Sequence, residues 1–127
     1  MEQQKLMPFL NIKKLIRSFY YASRGIYRAF FAEQNFRIGI FCSLIIIFLM
    51  IYYKVALSGK IVLTLTIMTG LVLELFNAIL EKVVNILKPR VHPYAEVIKD
   101  MMAGTVLLAF IGGIVIAYLI FWPYIFK

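Results

Sequence analysis

Apolar residues run in three long blocks along this chain of 127 residues. The first covers residues 38–53. The second starts at Ile61 and is interrupted by Glu74, and the third covers residues 101–122. A membrane-spanning helix needs about 20 mostly apolar residues. The first block is short by itself, and residues 32–37 extend it through the headgroup zone. The pattern predicts spans over about residues 33–53, 61–87 and 100–122. Ahead of them, Ile12, Leu15, Ile16, Phe19, Tyr20, Ile26, Tyr27 and Phe30 follow helical spacing, while Lys13, Arg17, Arg24 and Arg28 share another face. That predicts an amphipathic helix over about residues 10–32, lying in the membrane interface. The fold class expected is all-α integral membrane, one amphipathic interfacial helix plus three transmembrane helices, forming a single domain over residues 1–127. Ala56-Leu57-Ser58 faintly resembles a signal-peptidase site, but 37 residues precede the apolar block, too many for an ordinary signal peptide.

Composition strengthens this picture. Hydrophobic residues make up 63% of the chain and charged residues 16%, more apolar surface than a small soluble domain can hide. The net charge of +8 is compatible with nucleic acid or with an anionic membrane. The basic residues flank the apolar blocks, which favours the membrane and argues against nucleic acid. Seven lie within residues 5–37 and four within 82–99, against three elsewhere. Positive charge collects on the cytoplasmic side, so the amino terminus and the second connection are expected there. Tyr52, Tyr53, Trp122 and Tyr124 then fall at the outer interface, where amphipathic rings anchor. Cys42, the single cysteine, excludes an internal disulfide and reads as a small core residue. The basic face of the first helix suits anionic headgroups as an anchor, or a catalytic part, and one helix could do both.

The acids are few and oddly placed. Glu74 and Glu81 interrupt or end an apolar span, where an ionised carboxylate costs at least about 2.5–3.5 kcal/mol. Glu74, Asn77 and Glu81 are spaced i, i+3 and i+7, which puts them on one helical stripe. Ala78 leaves room beside them, and Asn85 continues the stripe. Carboxylates placed together repel, and a divalent cation relieves this. Mg²⁺ often takes one or two carboxylates plus substrate phosphates, so the stripe suits a magnesium nucleotide, with Glu33 as a third carboxylate. Lys99 could neutralise a phosphate, and Asp100 could hold Lys99 or a ligand hydroxyl. His92 sits in an expected loop, Lys88-Pro89-Arg90-Val91-His92-Pro93, as a nucleotide contact or a solvated histidine. The plain alternative is that the acids pair with Lys82, Lys99 or Arg37. A proton-coupled carrier is another, although the acids gather at one membrane face and not at the midplane. No Walker A loop or protein-kinase signature is present. Gly112-Gly113 reads as close helix packing.

Four strings carry a family likeness: Glu33-Gln34-Asn35-Phe36-Arg37, Glu74-Leu75-Phe76-Asn77-Ala78-Ile79-Leu80-Glu81, His92-Pro93 and Ile98-Lys99-Asp100-Met101-Met102-Ala103-Gly104. On them the chain resembles the prokaryotic diacylglycerol kinase family, which includes the undecaprenol kinases, over roughly residues 13–122. The resemblance implies a homotrimeric membrane enzyme that transfers the ATP γ-phosphate to a lipid hydroxyl. It implies Glu74 as general base, Asn77 orienting the reacting groups, and Glu33 and Glu81 holding Mg²⁺. Lys99 and Asp100 are implied at phosphate and nucleotide, with Lys14, Tyr21, Arg90 and His92 lining the ATP site. Two positions depart from the family pattern: Ala78 stands where Ser or Thr is frequent, and Asn85 where Asp is usual. The string Asn35-Phe36-Arg37 and the His92-Pro93 pair lean toward the undecaprenol-preferring branch.

Overall fold

The computed structural model describes residues 10–126, with every side chain in that range except those of residues 89–92. These residues form three helices, α1 (Ile12–Ala32), α2 (Gln34–Tyr52) and α3 (Leu57–Ile125). They fall into two compact units, one ending at Ala32 and the other beginning at Glu33.

In the first unit, Asn11 starts α1. Its side-chain Oδ1 accepts from the Lys14 backbone N–H at 3.1 Å, and its carbonyl accepts from Leu15 N–H at 3.0 Å, which satisfies donors that a helix start leaves open. No residue of α1 is buried. Its apolar side chains stand bare, Phe19 at 68% and Tyr27 at 65% exposure. Rings on α1 pair with neighbours on the same helix, Tyr20 with Tyr21, and Tyr27 and Phe30 each with Phe31.

In the second unit, three segments are long and apolar enough to cross a membrane by length and composition: Gln34–Tyr52, Leu57–Lys88 and Pro93–Ile125. The last two are arms of α3, whose helical backbone continues through residues 88–93, where the sequence predicts a loop. A straight helix of its 69 residues would be about 100 Å long. Yet Ala56 N–H, at its start, donates to the Tyr124 hydroxyl at 3.0 Å, near its end. Lys99 Nζ likewise donates to Asn85 Oδ1 at 2.5 Å, although 14 residues of straight helix cover roughly 21 Å. The chain direction therefore reverses between Asn85 and Lys99, and the two arms run back to back.

The turn between α2 and α3 has a defined cause. Lys54 has φ 49, in the left-handed region. Val55 N–H donates to Met50 O at 3.1 Å and Lys54 N–H to Ile51 O at 3.3 Å, the paired bonds of a Schellman stop. The apolar contact that accompanies such a stop is present as well. Met50 and Val55 are buried together with Leu63 and Phe121, and Tyr53 and Tyr124 pack against this cluster. The aromatic residues expected at one interface thus gather at one end of the unit. Tyr53 faces Phe121 with ring centres 6.3 Å apart.

Polar residues inside the spans satisfy themselves. The hydroxyls of Ser43, Thr64, Thr66 and Thr105 each donate to the carbonyl four residues back. Each of these four donors is thereby satisfied within its own helix and can face lipid without an open hydrogen. Helix contacts are close where side chains are smallest. A Cβ on Gly39 would lie 3.3 Å from a Leu71 methyl, and one on Gly113 would lie 3.4 Å from the Thr66 methyl. Gly113 thus fulfils its expected packing role, whereas Gly112 has nothing within 4 Å.

Candidate functional site

The end of the second unit opposite the aromatic cluster holds the acids. Residue 33 lies between helices, with extended backbone at φ −111 and ψ 111. Glu33 occupies the N-cap position of α2 but makes no side-chain capping bond. Its carboxylate is taken up elsewhere: Lys82 Nζ, on the first arm of α3, donates to Glu33 Oε1 at 2.6 Å. A contact spanning 49 residues of sequence ties the start of α2 to the acidic stripe.

On the stripe, Glu74 and Asn77 are partly buried, Ala78 is buried, and Glu81 and Asn85 are exposed. The side-chain amides of Asn35 and Asn77 hydrogen-bond to the Glu74 carboxylate, and the Glu33 charge acts on it as well. The stripe read from spacing is thus one face of one helix, and it meets the start of α2 there. Asn35 was given no role by sequence reasoning. Its signal was present in its position two residues after Glu33, at the mouth of the first span. Only tertiary packing brings it to Glu74.

Glu74 and Asn35 also stand at the polar end of a groove of about 660 Å³, lined by all three spans. The rest of the lining is small or apolar, with Gly39, Gly70 and Gly113 making room and Ile46, Leu63 and Phe110 supplying walls. The volume falls in the range of small-molecule sites, about 300–1,000 Å³. Cys42, read from sequence as a core residue, is half-buried and lines this groove.

The other expected site residues distribute as follows. Lys99 is partly buried and held by Asn85, which brings the second arm of α3 to the stripe. Asp100 beside it is exposed. Of the cations expected to pair with the acids, Lys82 pairs with Glu33 and Lys99 bonds to the Asn85 amide, so neither of these two contacts neutralises Glu74 or Glu81. Lys14 and Tyr21 are exposed on α1, in the other unit. The side chains of Arg90 and His92 lie outside the described residues.

Among the described residues, no three His, Cys, Asp or Glu side chains converge as a metal cage. Zn²⁺ in a structural site takes four protein ligands. Mg²⁺ usually takes one or two carboxylates and completes its shell with waters and substrate phosphates. Glu33 accepts a cation at hydrogen-bonding distance, in the form of the Lys82 ammonium, so the donor set is compatible with a magnesium nucleotide.

Known proteins share this sequence pattern. Residues 20–121 match the family model described as prokaryotic diacylglycerol kinase. A diacylglycerol kinase of Synechocystis sp. is 34% identical over 86% of this chain and 63% of its own length. An undecaprenol kinase of Bacillus subtilis is 27% identical over 89% of this chain and 92% of its own. A diacylglycerol kinase of Helicobacter pylori is 29% identical over 91% and 83% respectively. The chain thus spans a little under two thirds of the Synechocystis relative and most of the other two. No solved structure matches it. With the family model covering most of its length, and three apolar helices suited to a membrane, the chain belongs to the prokaryotic diacylglycerol kinase family.

Proposed function

We propose that this protein is an ATP- and Mg²⁺-dependent kinase that transfers the γ-phosphate of ATP to the hydroxyl of a membrane lipid, either diacylglycerol or undecaprenol. The observation that carries the reading is the position of Glu74, a carboxylate at the polar mouth of an apolar groove built by three spans. A lipid laid with its tail in the groove presents its hydroxyl at that mouth.

The chemistry follows from the residues there. Glu74 accepts the proton of the lipid hydroxyl as its oxygen bonds to the γ-phosphorus; the bond from that phosphorus to the bridging oxygen breaks, and ADP leaves. A base held in hydrogen-bond reach of its proton typically contributes about 10²–10⁴-fold. Asn77 and Asn35, bonded to the same carboxylate, fix its direction. Lys99 offsets charge on the phosphoryl group, and Asn85 fixes its ammonium. Glu33 and Glu81 would hold Mg²⁺, which when bound neutralises negative charge on the β- and γ-phosphates. In this reading Asp100, Arg90 and His92 contact nucleotide, and the family likeness assigns nucleotide contacts to Lys14 and Tyr21 as well. The apolar stripe of α1, bare in its own unit, would rest in the membrane interface, with its basic face toward the cytoplasm and ATP.

Only 6–11% of the most apolar window of each span is buried within one chain. Lipid and further copies of the chain would cover the remainder, and a homotrimer in the bacterial inner membrane is the assembly proposed. The excess of Lys and Arg at the acidic end supports a site on the cytoplasmic side. The resemblance of Asn35-Phe36-Arg37 favours undecaprenol. To test the reading, purified protein in micelles is given labelled Mg-ATP and each lipid separately. Label should enter one or both lipids, more into undecaprenol. Label in neither, with the protein folded, rules the kinase out.

A further inference from the structure

The Lys82–Glu33 pair has no part in the chemistry above, yet it occupies one of the two carboxylates assigned to metal. The ammonium sits 2.6 Å from Glu33 Oε1, on one of the two oxygens through which Glu33 would act as a ligand. The pair is one of choice for both residues. Glu33 makes no bond to its own helix end, and Lys82 reaches it from another helix.

We infer that Lys82 is a tethered counter-ion for Glu33, which holds the carboxylate in place before nucleotide arrives and competes with the metal for it. The inference rests on the kinase reading, in that Glu33 is a metal ligand. Two features make the competition one that metal can win. The lysine side chain is 63% exposed and Glu33 26%, and exposed ion pairs are weak. The ammonium is also a point charge on a flexible four-carbon stem, so it can leave without moving backbone. A divalent cation arriving with its own phosphate ligands carries twice the charge and displaces it. Lys82 therefore lowers the affinity of the site for bare metal while keeping its shape.

The test reads metal binding and not turnover. Mn²⁺ replaces Mg²⁺, and the loss of the free-Mn²⁺ paramagnetic resonance signal is titrated against the full chain in micelles, without nucleotide. Lys82→Gln should bind Mn²⁺ about two- to fivefold tighter than the unmodified chain, the span that a weak exposed pair allows. Lys82→Arg, which keeps the charge, should bind as the unmodified chain does. Glu33→Gln should bind more weakly, and adding Lys82→Gln to it should change nothing further. Equal or weaker Mn²⁺ binding by Lys82→Gln overturns the inference, as does tightening that persists when Glu33 is already Gln. Absence of Mn²⁺ binding in every variant overturns it too. The lipid-labelling assay separates this from failure of the kinase reading: label in lipid with no effect of Lys82 on Mn²⁺ leaves the kinase standing alone.

Discussion

Glu74 and Glu81 lie seven residues apart on one helix face, and their surroundings separate them. Glu74 is partly buried, bonded to two amides, and opens onto an apolar groove. Glu81 is exposed one helical turn beyond Asn77. A base needs a fixed direction and a lipid hydroxyl within reach; a metal ligand needs access to the nucleotide side. Replacing Glu81 by Gln should therefore raise the Mg²⁺ concentration needed for half-maximal transfer by at least about tenfold, with the rate at saturating Mg²⁺ changed far less. A magnesium titration of lipid phosphorylation checks this. The shared face of Glu74, Asn77 and Glu81 was legible in the sequence, because helical spacing is local. Asn35 beside Glu74 and Lys82 on Glu33 were not. The second pair joins residues 49 apart, and Lys82 was legible only as a candidate partner for acids in general.

At the scale of elements, each apolar block falls, to within one residue, inside one of the three candidate spans, and the ends moved by one to four residues except at the third, which begins at Pro93 and not near residue 100. The first span is Gln34–Tyr52, and the second starts at Leu57, so Lys60 lies in its first turn and not in a loop. The stop between them depends on Lys54 in a left-handed conformation, which costs an ordinary residue about 1–2 kcal/mol. No periodicity signals this, since a Schellman stop usually announces itself by glycine. Lys54→Gly should stabilise the unit by about 0.5–1 kcal/mol, the relief of strain less the added freedom of the unfolded chain. Lys54→Val should destabilise it, since a β-branched residue tolerates that region least. Thermal unfolding in detergent reads both signs. The reversal within α3 was legible only as a proline-bounded connection. Its helical backbone was not, because Pro89 and Pro93 argue locally for a break, whereas the contacts of Asn85 with Lys99 and of Ala56 with Tyr124 hold the arms together.

For the whole molecule, the groove is the feature on which the proposed lipid substrate depends. It needs α2 and both arms of α3, and glycines on each of the three spans line it. A Cβ on Gly70 meets nothing within 4 Å, so Gly70→Leu should fit the fold, gain helix propensity and fill the groove. The expected result is roughly a tenfold rise in the lipid KM with the ATP KM unchanged, read by varying each substrate in turn. A rise in both would place the groove outside the lipid path. The central claim, that Glu74 takes the proton of the lipid hydroxyl, is tested most directly by comparing label transfer from Mg-ATP to lipid in the unmodified chain and in Glu74→Gln, with ATP binding measured on the same samples. Transfer should fall by about 10²–10⁴-fold while ATP binding stays within about twofold. A Glu74→Gln protein that still labels lipid at close to the original rate would contradict the account.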